Sequence, residues 1–178
     1  MKVHCVKISL CYLAASICLI SCKPPVQEMD DTSDGDQLEQ QFLEVNKYLR
    51  DMHQDHIEAF VKRVGWDMQV SSTGLWYYID KRGEGKAVQP DSRVSYAFTS
   101  LLLNGQHCYH ANADEPMNIA MGKGGVEAGV EEGLLYMREG DSATFIIPPH
   151  LAHGNFGDRN KIPGNTVIIY KVTVLKVD

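Results

Sequence analysis

The stretch GVEEGLLYMREGDSATFIIPPHLAHG, Gly129 to Gly154, changes its period halfway. Val130, Leu134 and Met137 fall on one face at helical spacing, and Val126 just upstream extends that face. Gly140 suits the end of such a helix, where the chain commonly turns left-handed and glycine does so without steric cost. SATFIIP, Ser142 to Pro148, then reads as a buried strand. Pro148-Pro149 stops it, because proline has no N–H to give a ladder. From Pro148 to Asn165 the chain shows no period at all. Connections of that length are uncommon unless they are functional or disordered. Phe156, Ile162 and a run of turn-forming residues argue for an ordered lip.

Working outward, LWYYIDK (Leu75 to Lys81) is an aromatic strand that stops at the turn RGEG. RVSYAFTSLLL (Arg93 to Leu103) alternates through Val94, Tyr96 and Phe98, then loses the alternation near Ser100, which predicts a bulge before the Asn104-Gly105 turn. MNIAMG (Met117 to Gly122) is a short strand leading to the helix, and TVIIYKVTVLKV is the closing strand. One short helix against about five strands predicts an α+β domain, an antiparallel sheet wrapped around one helix, over residues 65–178.

The chain ahead of it has three textures. Lys2 and Lys7 precede the uncharged run ISLCYLAASICLI, which has the length of a secretory signal rather than a membrane span. LISC, Leu19 to Cys22, resembles a lipobox, so residues 1–21 are expected to leave and Cys22 to carry lipid. Residues 22–36 then read as an acidic, Pro-containing tether. Residues 37–64 carry apolar side chains at Leu38, Phe42, Val45, Leu49 and Met52, then at Ile57, Phe60, Val61 and Val64, the period of a long amphipathic helix. That stripe serves either a spacer lying on its own domain or the seam of a homodimer through residues 38–64, because the 4-3 stepping matches a heptad.

Charge and cysteine content narrow the classes. From Cys22 onward there are 23 acidic and 15 basic residues, net charge −8, concentrated between Glu28 and Glu58. Residues 59–178 are near neutral with no basic stripe, which argues against a nucleic-acid partner. Beyond Cys22 the only cysteine is Cys108, so an internal disulfide is excluded.

In order and spacing, the domain resembles an FKBP-type peptidyl-prolyl cis-trans isomerase. The carrying residues are VSYAFTSLLLNGQ, then MNIAMGKGGVEAGVEEGLLYMREGDSATFIIPPHLAHG, then IPGNTVIIYKVTVLKV. Gly122, Val126, Glu131-Glu132-Gly133-Leu134, Met137, Gly140, Pro148, Gly154, Ile162 and Pro163 fall in register with the family pattern over roughly residues 70–178. The leading segments also resemble small lipid-anchored FKBPs, including gliding-motility-associated ones.

The resemblance implies catalysis of Xaa-Pro rotation in an apolar pocket. Rotation must break amide resonance, a barrier of about 18–20 kcal/mol. The twisted amide is less dipolar than the planar one, so a dry apolar cavity favours it, and no metal, cofactor or nucleophile is required. By matching position, Tyr96 and Tyr170 are wall aromatics, Val126 and Glu127 begin the helix, and the Glu127 N–H holds the substrate carbonyl. Ile162 is the closing aliphatic; Met117 and Ile119 occupy positions that are usually aromatic. Three departures stand out: Val130 at a floor position commonly tryptophan, His153 in place of the loop tyrosine, and Cys108-Tyr109 in place of a phenylalanine and an aspartate. They enlarge the cavity, and Tyr109 is placed to refill it. Expected partners are proline-containing peptides and unfolded envelope proteins, with the membrane reached through the N-terminal lipid. A catalytically silent binding module and a structural lipoprotein remain as alternatives. The H-x-x-H pairs His107/His110 and His150/His153 sit at expected loop positions, which favours solvent-facing histidines over a metal site.

Overall fold

The computed structural model describes residues 31–178. Residues 1–21, Cys22 and most of the expected tether therefore lie outside the described residues. The chain divides into two units, Met1–Gln40 and Gln41–Asp178; among its described residues the first is helical. A long helix, α1, runs Asp31–Val64, starting six residues before the expected Gln37, inside the acidic segment. Carboxylates in a first turn favour helix, since they face the positive end of its dipole.

The second unit holds a seven-stranded antiparallel sheet. Its strands are β1 (Gln69–Val70), β2 (Trp76–Lys81), β3 (Arg93–Leu102), β4 (His107–Ala111), β5 (Met117–Ala120), β6 (Ser142–Ile147) and β7 (Ile168–Val177). The order is β1-β2-β6-β7-β3-β4, and β5 pairs with the other end of β3. β3 meets both β5 and β4 along one edge, its residues 93–96 pairing with β5 and its residues 98–101 with β4. The register shifts between Ser100 and Leu101, near the expected bulge, but the extra residue is Cys108 on β4, and β3 keeps Ser100 and Leu102 buried in alternation. A second shift, between Ser95 and Tyr96, places its extra residue, Leu175, on β7.

The count of strands exceeds the expected five because β1 has two residues and β4 lies in a stretch read as loop. His107 and His110 are therefore strand residues, both exposed. The short helix, α2, is Ala128–Leu135. Met137 and Gly140 lie beyond its end: the Tyr136 N–H donates to the Gly133 carbonyl and the Met137 N–H to the Leu134 carbonyl, closing the helix, and Gly140 instead turns the chain into β6 with φ of 88°.

α2 lies on the inner face of the sheet, and its glycines explain how closely. A side chain at Gly129 would strike Ile147 and Leu151, and one at Gly133 would strike the Phe145 ring. Val130 and Leu134, both fully buried, complete this core with Val94, Phe145, Ile147 and Ile168.

The outer face is also apolar at one end. Ile146, Val167 and Ile169 meet Ile57 and Val61 of α1, with Phe60, Trp66, Trp76 and Leu101 around them. Burying side chains such as Ile57 and Val61 contributes about 1.5–3 kcal/mol each. Gln54 fastens the contact: its Oε1 accepts the Trp76 indole N–H at 2.6 Å, and its Nε2 donates to the Gly74 carbonyl at 2.9 Å. This part of α1 thus behaves as the spacer reading expects. By contrast, Phe42, Leu43, Val45 and Tyr48 are exposed.

Candidate active site: an aromatic cavity at the start of α2

Inward-pointing residues of β3 and β7 are bulky where the sheet passes the start of α2. Tyr96 and Phe98 come from β3, Met117 from β5 and Tyr170 from β7. Gly125, Val126 and Glu127 lead into α2, while Ala152 and His153 come from the segment after β6. Together they line a cavity of about 450 Å³. Phe98 and Tyr170 stack at 5.0 Å between ring centroids, and Tyr96 stands 5.9 Å from Phe98. Burial, and then the nearby Glu127 carboxylate, raise both tyrosine hydroxyls above their ordinary pKa, so they stay protonated donors.

Glu127 is the residue before α2, with extended φ −61° and ψ 141°. Its carbonyl receives the N–H groups of Val130 and Glu131, and its own N–H has no acceptor among the described residues. Its side chain does not cap the helix. Instead Oε1 accepts the Tyr170 hydroxyl at 3.1 Å and lies 2.9 Å from His153 Nε2. The histidine contact is close but off-axis: Nε2 is buried without an aligned hydrogen bond.

Of the expected site residues, Tyr96, Met117, Val126, Glu127, His153 and Tyr170 come together around the cavity. Val130, Ile162, Cys108 and Ile119 are buried in the main core rather than in the lining. Cys108 is 3% exposed, and burial raises its thiol pKa, so it packs as a small apolar side chain. Tyr109 turns away from the cavity that it was placed to refill. Its hydroxyl donates to Asp158 and receives the Asn160 amide at 3.1 Å, with the Lys161 ammonium 5.0 Å above its ring. Lys161 also donates to the Cys108 carbonyl at 2.9 Å, so β4 holds the segment between Pro148 and Asn165 in place. Burial raises the Asp158 pKa, but the hydrogen bonds from Tyr109, Ile162 and Asn160 outweigh it and leave it at about 2. Phe156, expected within an ordered lip, is 83% exposed.

Phe98, with Gly125 and Ala152, lines the cavity without being among the site residues expected from sequence. The Phe98 ring has a signal in the sequence: it shares the inward alternation with Tyr96, two residues away. A larger concavity, about 670 Å³, lies on the outer sheet face among Asp80, Thr99, His110, Thr144 and Lys171. Ala97, Phe98, Ala111, Ala143 and Val172 border it as well, but it does not gather the cluster of rings from Tyr96, Phe98 and Tyr170 that lines the smaller cavity.

An antiparallel sheet wrapped on a short helix, with an aromatic cavity at the helix start, defines an FKBP-like architecture. Residues 84–175 match the family FKBP-type peptidyl-prolyl cis-trans isomerase, and the chain belongs to that family. It is 29% identical over 123 residues to the FKBP-type peptidyl-prolyl cis-trans isomerase FkpA of Buchnera aphidicola subsp. Acyrthosiphon pisum, covering 68% of this chain and 49% of that protein. It is 31% identical over 107 residues to FK506-binding protein 1A of Neurospora crassa, covering 58% of this chain and 88% of that one. The crystal structure of AtFKBP13 superimposes with a TM-score of 0.59 at 24% identity, over 64% of this chain and all of that one, which bears on the fold. The chain spans about half the length of the Buchnera relative.

Proposed function

We propose that this protein is a peptidyl-prolyl cis-trans isomerase that assists the folding of exported proteins in the cell envelope. The observation that carries the reading is the aromatic cavity with the unused Glu127 N–H at its edge. A proline ring enters between Phe98, Tyr170 and Met117, the N–H holds a neighbouring carbonyl, and exclusion of water favours the less dipolar twisted amide. Tyr96 and Val126 complete the wall. Val130 and Ile162 support it from the core.

The test is an Xaa-Pro isomerisation assay on the soluble form beginning at Lys23. Rate enhancement that falls when the cavity is altered is the expected result. A folded protein without enhancement on any residue before proline overturns the reading. It would favour the second one, a binding module, which the polar Glu127–His153 contact in the wall supports.

The anchoring belongs to the same proposal. Cys22 carries lipid and places the domain in the envelope, on the periplasmic side of the outer membrane. The motif LISC supports this, and palmitate labelling lost in Cys22→Ser checks it. The exposed Phe42, Val45 and Tyr48 favour a homodimer through α1.

A further inference from the structure

The reading above uses the backbone of Glu127 and leaves its side chain without a role. That side chain is 15% exposed, set among Phe98, Met117 and Tyr170 in the cavity lining. It has two contacts, the Tyr170 hydroxyl and the off-axis imidazole of His153, both on Oε1. Among the described residues no lysine or arginine lies within ion-pair distance of it. The cavity wall therefore sets a carboxylate against a phenol and an imidazole, with no lysine or arginine to pair it among the described residues. Removing a carboxylate from water is costly unless a partner replaces the lost hydration, and a phenol with a misaligned imidazole replaces part of it. A cation that arrives with the substrate replaces more, because the wall around it is apolar and weakly screening.

Position makes the effect specific. The carboxylate belongs to the same residue whose N–H holds the substrate carbonyl, so it lies within reach of the residues that flank the proline. We infer that Glu127 is a specificity-determining residue, selecting prolines flanked by lysine or arginine and disfavouring those flanked by glutamate or aspartate. The inference rests on the isomerase reading of the same cavity.

The experiment compares kcat/KM for two peptide series, one with lysine, leucine or glutamate before the proline and one with the same residues after it. The protein from Lys23 onward is measured beside Glu127→Gln, each at low and at high salt. In at least one series lysine is favoured over leucine by about tenfold, equivalent to about 1.4 kcal/mol, with glutamate last. Glu127→Gln brings the three peptides nearly level, and high salt narrows the wild-type spread. Equal rates for lysine and leucine in both series, or a lysine preference that survives Glu127→Gln, overturn the inference while leaving the isomerase reading intact. Absence of catalysis on every peptide overturns the isomerase reading instead. Calorimetric affinities for the same peptides then decide selectivity: the order lysine, leucine, glutamate upholds it, and level or absent binding overturns it.

Discussion

A methyl group at Gly133 has nowhere to go. Its carbon would stand 2.5 Å from the Phe145 ring, and that ring is fully buried. Gly133→Ala is therefore expected to destabilise the fold by about 1–3 kcal/mol, read from urea midpoints, although alanine favours an isolated helix. Phe98 has the opposite exposure to change, since it borders empty space. Phe98→Leu should lower kcat/KM about tenfold, with an unaltered circular dichroism spectrum, because a stacked aromatic surface against the substrate is lost. At this scale the sequence was legible where backbone geometry dictates the residue, as at Gly122, Gly133 and Pro148. It was less so among side chains that share one alternation. Tyr96 and Phe98 both point inward, and only the placement of β5 and β7 around them shows that both reach the cavity.

The segment between Pro148 and Asn165 is held by contacts made far from it in sequence. Tyr109 and the Cys108 carbonyl, both on β4, take Asp158, Asn160 and Lys161. Tyr109→Phe should speed amide exchange at Asn160 and Ile162 without changing exchange in β6; equal protection in both proteins would show that the anchor lies elsewhere. An ordered connection is legible in the sequence, but its anchor is not, because residue spacing does not report which way Tyr109 turns. α1 carries its own titratable group. His53 is 7% exposed, its Nε2 has no hydrogen-bond partner among the described residues, and burial, then His56 and His150, lower its pKa. The unfolded chain protonates it near the ordinary value of 6.5 while the folded chain resists, so the unfolded state binds more protons as pH falls below that value. Stability should thus drop between pH 7.5 and 5.5, and His53→Leu should flatten the drop. The urea midpoint at the two pH values measures both.

For the whole molecule, the leading helix proves harder to separate from the domain than the sequence texture implied. The change from helical to alternating pattern at Gly65 marks a change of secondary structure. In packing, however, Ile57 and Val61 share a core with Ile146, Val167 and Ile169 across that point. A chain beginning at Gly65 should accordingly bind a hydrophobic dye that the chain from Lys23 does not. The dimer is better tested by Phe42→Ser with Val45→Ser, which spares that core. Sedimentation should show a dimer reduced to monomer, and a monomer in both proteins would remove the seam. The periodic stripe was visible in sequence. Its division between a covered end and an exposed end was not, because periodicity alone does not say what covers a face.

Ile169 and Tyr170 are consecutive residues of β7. The first is held by α1 on one side of the sheet, and the second lines the cavity on the other. One strand is therefore a partition with a tenant on each side. On the proposed anchoring, a pull on α1 passes through Ile57 and Val61 to a point a single peptide unit from the cavity wall.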